Sequence, residues 1–323
     1  MVSIQVLIIL LFSLLLIKSA DFVVVALRRI NKQTKTGVFA LSALVLAIGT
    51  SLPELFVAIT SALEGTPSLS LGNVLGANIA NVSLVAGFSS LIAGKVIVHG
   101  DFLKRDVYIA LVAGLLPMFL IIDGTLSRVD GLILLASYGA YASSLFRTRF
   151  LEIAQEHRKE SFIFRFIRQF NHIESSRTKE FGRLFAGIAF LLLSADIIVR
   201  VARQLALAAN IPVFLVGLIV LSIGTTLPEI AFSLRSLEDH EPTMFFGNIL
   251  GSIIANSTLV LGVAAAITPI KVIAIDEYFK ATVFFFIIFL TFWFFIRSKF
   301  RLDRWEAALL LFLYTLFVIV EFS

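Results

Sequence analysis

The chain repeats itself once, and the repeat constrains the fold more than any other feature. The stretch from Val45 to Glu54, VLAIGTSLPE, recurs 175 residues later, from Val220 to Glu229, as VLSIGTTLPE, with eight of ten residues identical. The stretch Gly72 to Gly87, GNVLGANIANVSLVAG, recurs at the same offset from Gly247 to Gly262 as GNILGSIIANSTLVLG, with ten of sixteen identical. Ser19-Ala20-Asp21 likewise recurs as Ser194-Ala195-Asp196. An offset held without a gap over that length is a duplicated unit.

The units are built for lipid. Apolar residues make up 59% of the 323-residue chain and charged residues 15%, too few to cover a soluble protein of this size. With no cysteine, a disulfide scaffold and thiolate chemistry are excluded. A helix crosses a bilayer with about 20 apolar residues. Ten runs qualify, at roughly 2–27, 38–63, 68–93, 106–122, 129–146, 182–206, 212–236, 243–268, 278–296 and 304–322. The expected fold is therefore an all-α polytopic membrane protein of ten transmembrane helices. The first run has no basic residues before it and no small-residue cleavage site, so it reads as a retained helix rather than a signal peptide.

Of the 27 Lys and Arg, 21 fall in the loops after runs 1, 3, 5, 7 and 9, and 5 on the other side; Lys18 lies within the first run. The positive-inside rule puts the richer loops in the cytoplasm and both termini outside, in a plasma membrane. These loops account for the net charge of +5, so nucleic acid is not an expected partner. The layout divides into 1–146, a basic cytoplasmic linker at 147–181, and 182–323. The core repeat motifs fall at about 38–93 and 212–268. The linker is too short for a separate domain of ordinary size. Five runs per unit is an odd number, so the second unit enters the membrane from the opposite side. Such inverted repeats typify secondary transporters, whose substrate sits near the midplane between the two copies.

Glu54 and Glu229 occupy equivalent places inside apolar runs, where a carboxylate is costly and marks a functional site. No Lys or Arg lies near either one within its run. Pro53 and Pro228 remove an amide donor and free carbonyls one turn back, around Ala47 to Thr50 and Ser222 to Thr225. Thr50 and Ser51 in one copy, and Thr225 and Thr226 in the other, add hydroxyls. Asn81 and Asn256, with Ser252 one turn before Asn256, add further oxygens. An all-oxygen shell of this kind suits Ca²⁺ or Na⁺. All four histidines read as loop residues, which argues against softer metals. Asp21 and Asp196, near the ends of their runs, read equally well as interfacial structural acids or as gating groups. The aromatic run Phe284 to Phe295 reads as lipid-facing or packing surface.

The paired signatures GTSLPE and GTTLPE, each followed by GN-x-x-G and an Asn, resemble the two α-repeats of the sodium/calcium exchanger family of the cation/calcium exchanger superfamily, in its prokaryotic form. The resemblance spans nearly the whole chain. It implies that Glu54 and Glu229 are the central ligands, with Thr50, Ser51, Thr225 and Thr226 beside them. It further implies main-chain oxygens from Ala47 and Ser222, and completion by Asn81, Asn256 and Ser252. Ca²⁺ and Na⁺ are then cargo, with no cofactor, no catalytic residue and no obligatory protein partner. Proton-coupled relatives carry GN-x-x-E in place of GT-x-L-P-E. The sequence departs from the family pattern at Ala77, where a serine is usual, and at Asn256, where some members carry Asp. Ile253 stands opposite Asn78 in the repeat. Two central acids give two negative charges, balanced by one Ca²⁺ or by two Na⁺. The expected activity is Na⁺/Ca²⁺ antiport by alternating access, most simply Ca²⁺ extrusion. A proton-coupled antiporter and a cation channel are the competing readings. An intramembrane hydrolase ranks last, since no HExxH or G-x-S-x-G occurs.

Overall fold

A computed structural model describes residues 2–32, 51–97, 102–156, 175–299 and 301–321. Apolar runs in lipid must satisfy every backbone amide internally, and helices do so. The described residues form α1 (Val2–Lys32), α2 (Leu52–Leu63), α3 (Pro67–Ala93), α4 (Phe102–Leu120) and α5 (Arg128–Glu156). They continue as α6 (Ser175–Ala209), α7 (Val213–Glu238), α8 (Pro242–Ile267), α9 (Ile275–Lys299) and α10 (Arg304–Glu321). Six stretches among them are long and apolar enough to cross a membrane, within α1, α3, α6, α7, α8 and α9. The chain is thus a predominantly helical membrane protein. Its outer faces agree, since Leu7 and Leu11 on α1 and Phe185 and Leu193 on α6 are all exposed.

The polar linker, which reads from its sequence as solvated and partly helical, is helical where it is described. α5 runs on to Glu156 and α6 begins at Ser175, so both ends of the 147–181 linker are helical. Once a helix is nucleated in lipid, each further residue adds a backbone bond, and polar residues beyond the bilayer do not stop it. The run expected at 38–63 is described only from Ser51 onward.

Among the described residues two short antiparallel ribbons clip the loops, a feature that hydropathy does not show. β1 (Lys95–Ile97) pairs with β4 (Arg301–Asp303), and β2 (Thr125–Leu126) pairs with β3 (Ile270–Lys271). α1 packs along α6, where Gly187 lets the Val23 side chain and the Ser19 carbonyl approach closely. α3 packs against α7 more tightly still. A Cβ on Gly72, Gly76 or Gly217 would collide with the backbone carbonyl of Phe214, Leu218 or Leu69 respectively. Small residues at such points are what permits backbone-to-backbone contact between membrane helices. The aromatic run on α9 proves to be mixed. Phe285, Phe289 and Phe292 are fully buried, whereas Phe286 and Phe294 face outward.

Candidate functional site

Proline shapes the centre of the site. Pro53 and Pro228 sit in the first turns of their helical segments, α2 starting at Leu52 and the second half of α7 at Leu227. In α7 the helix Ser222–Thr225 gives way at Thr226, because Pro228 has no N–H to offer the Gly224 carbonyl four residues back. The break leaves Glu229 in the first turn of the new segment, as Glu54 is in the first turn of α2. A helix start is a favourable place for a carboxylate, since backbone N–H groups converge there.

Among the described residues three π turns add to the irregularity, at Asn81–Val85 in α3, Val216–Leu221 in α7 and Ala255–Val260 in α8. Asn81 and Asn256 lie on the two that correspond in the repeat. A π turn widens the helix and breaks the regular ladder, and such turns concentrate at functional sites. α2, α3, α7 and α8 pack together around these breaks.

Glu54 is 1% exposed and Glu229 is fully buried. None of their four carboxylate oxygens has a hydrogen-bond partner. The two charges are close enough to repel one another. A buried ion left without a counter-charge costs several kcal/mol, so the pair requires a cationic ligand or protons. The Thr225 hydroxyl lies against the Glu54 carboxylate, bringing the second repeat onto the acid of the first. Thr225 Oγ1 donates to Asn73 Oδ1 at 3.2 Å, which turns its hydrogen away from the acids. Ser51 Oγ, Asn81 Oδ1 and Asn256 Oδ1 are likewise buried and without partners. Among the described residues no group of three or more His, Cys, Asp or Glu could hold a metal. The donor set is two carboxylates and neutral oxygens, which suits hard cations such as Ca²⁺ and Na⁺.

Not every expected residue is free to act. The Ser222 carbonyl, expected as a main-chain ligand, accepts from Thr226 N at 3.0 Å and Thr226 Oγ1 at 2.9 Å, so both of its lone pairs are engaged in this conformation. Its hydroxyl donates to Leu218 O at 2.6 Å. Thr226 and Ser252 are buried. Ala47 and Thr50 lie outside the described residues. Ala77 is fully buried on α3 and brings no hydroxyl. Asp196 is ion-paired: Arg200 Nε meets it at 3.0 Å, and Arg200 Nη2 reaches Glu64 at 3.4 Å. His240 sits in the turn between α7 and α8, as its sequence context suggests.

Sequence reasoning missed Asn73 and Ser257 as site neighbours and took Asn78 only as a repeat mismatch. A signal was available for Asn73, which sits in the Gly-Asn pair that opens both copies of the second motif.

Comparison with known proteins finds relatives along the whole chain. The family model described as sodium/calcium exchanger protein matches residues 4–147 and again 179–322, two segments that start 175 residues apart. The sodium/calcium exchanger MaX1 of Methanosarcina acetivorans is 29% identical over all of this chain and 99% of its own length. Inner membrane protein YrbG of Escherichia coli is 30% identical over 79% of this chain and 78% of its own. A solved structure of the sodium-calcium exchanger NCX_Mj, soaked with Na⁺ and Sr²⁺, superposes with a TM-score of 0.62 at 26% identity, covering 99% of each chain. Another, soaked with Na⁺ and Ca²⁺, gives 0.61 at 27% over the same coverage.

Proposed function

Because the chain belongs to the sodium/calcium exchanger family, a family of membrane ion antiporters, we propose that it exchanges Na⁺ for Ca²⁺ by alternating access and extrudes Ca²⁺. The observation that carries this reading is the pair of buried, unpartnered carboxylates, Glu54 and Glu229, brought within electrostatic reach of each other from repeat-related helices.

The coupling follows from charge. Two carboxylates are neutralised by one Ca²⁺ or by two Na⁺. The empty site carries two uncompensated charges and is costly to move through low dielectric. A site holding both kinds of ion is overcharged. Only the Ca²⁺-loaded and the Na⁺-loaded forms switch sides, and that rule is antiport. Ser51, Thr225, Thr226, Ser252, Asn81 and Asn256 complete the shell, with Thr50 and the Ala47 carbonyl from the other copy. A third Na⁺ held by neutral oxygens would make the cycle electrogenic. The Ser222 carbonyl joins when the Thr225 and Thr226 donors on it release it.

The architecture goes with this reading as ten spans in two inverted five-helix units, 1–146 and 182–323, both termini outside and the linker in the cytoplasm. The ribbons support it. β1–β4 joins two loops that this topology puts inside, and β2–β3 joins two that it puts outside. The bonds from Thr268 to the Ala62 carbonyl and from Arg105 to Ser144 also join groups on a common side. Switching is then a rigid movement of one helix group against the other around the fixed site.

One observation favours a second reading, a proton-coupled Ca²⁺ antiporter: Ala77 removes a hydroxyl from the shell. Ca²⁺ uptake into proteoliposomes separates the two. Vesicles loaded with Na⁺ should take up Ca²⁺ and lose that uptake with Glu54→Gln. Uptake driven by a pH gradient alone, with none driven by Na⁺, would replace the first reading by the second.

A further inference from the structure

An amide ligand has a requirement that a carboxylate lacks. Its oxygen must face the cation, so its N–H hydrogens must face away and find an acceptor. The two repeat-related asparagines differ in this respect. Asn81 has no hydrogen-bond partner at either Oδ1 or Nδ2. Asn256 donates from Nδ2 to Asn78 Oδ1 at 3.4 Å, and its Oδ1 alone is unpartnered. Asn78 donates in turn from Nδ2 to Ser257 Oγ at 2.7 Å, which leaves its oxygen as the atom turned to Asn256. Asn78, Asn256 and Ser257 are each no more than 1% exposed, so water does not compete for these bonds. Running the chain in reverse would place Asn78 Nδ2 on Asn256 Oδ1 and consume the oxygen that a cation needs. The repeat mate of Asn78 is Ile253, which has no acceptor to offer Asn81.

We propose that Asn78 is a positioning residue: it accepts the amide hydrogen of Asn256 and holds the Asn256 carbonyl oxygen toward the transported cation, which makes Asn256 the pre-oriented member of the asparagine pair. This inference rests on the reading of Asn256 as a cation ligand. It gives the two half-sites unequal roles despite their sequence symmetry. Asn256 meets an incoming ion with its oxygen already directed, whereas Asn81 must be turned by the ion itself.

Equilibrium binding of radioactive Ca²⁺ to the purified full chain tests it. Asn78→Ala should weaken Ca²⁺ binding about 3–10-fold, the range of one lost hydrogen bond. In the Asn256→Ala background the same substitution should change binding by less than about twofold, since the two residues act as one unit. A merely structural Asn78 would lose the same factor in both backgrounds, and that result, or unchanged binding in Asn78→Ala, overturns the positioning role. If Asn78→Ala does not fold, Ser257→Ala releases the far end of the chain. It should weaken binding in the same direction and only while Asn256 is present; unchanged binding again overturns the proposal. A wild-type protein that binds no Ca²⁺ would instead overturn the functional reading on which the inference stands.

Discussion

Glu229→Gln should abolish Ca²⁺ binding and yet stabilise the ion-free protein. Gln matches Glu in shape, so packing around the fully buried side chain is retained. What changes is charge. In wild type, Glu229 is buried, has no hydrogen-bond partner and is repelled by Glu54. Removing one member of a buried charge pair costs about 3–5 kcal/mol. Here the pair is the carboxylate and its bound cation, so Ca²⁺ affinity should fall by roughly two to three and a half powers of ten. In the ion-free protein the sign reverses, because the substitution removes an uncompensated charge and its repulsion. Ca²⁺ binding measures the first effect, and thermal unfolding of the detergent-solubilised protein in chelator measures the second. The expected result is lost binding with a higher ion-free Tm. Affinity within about threefold of wild type, or an ion-free Tm that falls together with binding, would refute the reasoning.

Three further outcomes follow from the packing and the surface charges. Gly76→Ala drives a methyl into the Leu218 carbonyl on α7 and should lower stability by about 1–3 kcal/mol, read as a lower Tm. Gly139→Ala on α5 meets nothing and should raise stability by about 0.5–1 kcal/mol through helix propensity. Arg200→Ala breaks exposed ion pairs to Asp196 and Glu64 and should leave the Tm close to that of wild type, with any loss fading at high salt.

The central acids were legible because charge is expensive in lipid. A Glu at the same place in two apolar repeats has few explanations, and both carboxylates prove to be buried without partners. Pro228 was legible for a different reason, since its missing N–H frees a carbonyl one turn back, and α7 breaks at Thr226, although Pro117 sits inside the continuous α4. The π turns were not legible. Asn81–Val85 and Ala255–Val260 contain no Pro or Gly to announce them.

What the sequence by itself determined is the membrane environment, the duplication and the chemical kind of the site. Those depend on side-chain polarity and spacing, which are local. Only the tertiary structure decided which oxygens are free. Ser222 and Thr226 are four residues apart in one segment, and the Ser222 carbonyl accepts from the Thr226 hydroxyl there. Asn78 and Asn256 are 178 residues apart, and their bond fixes which way an amide points. Hydrogen bonds are directional and short-ranged, so the allocation of each lone pair is settled only when the helices dock.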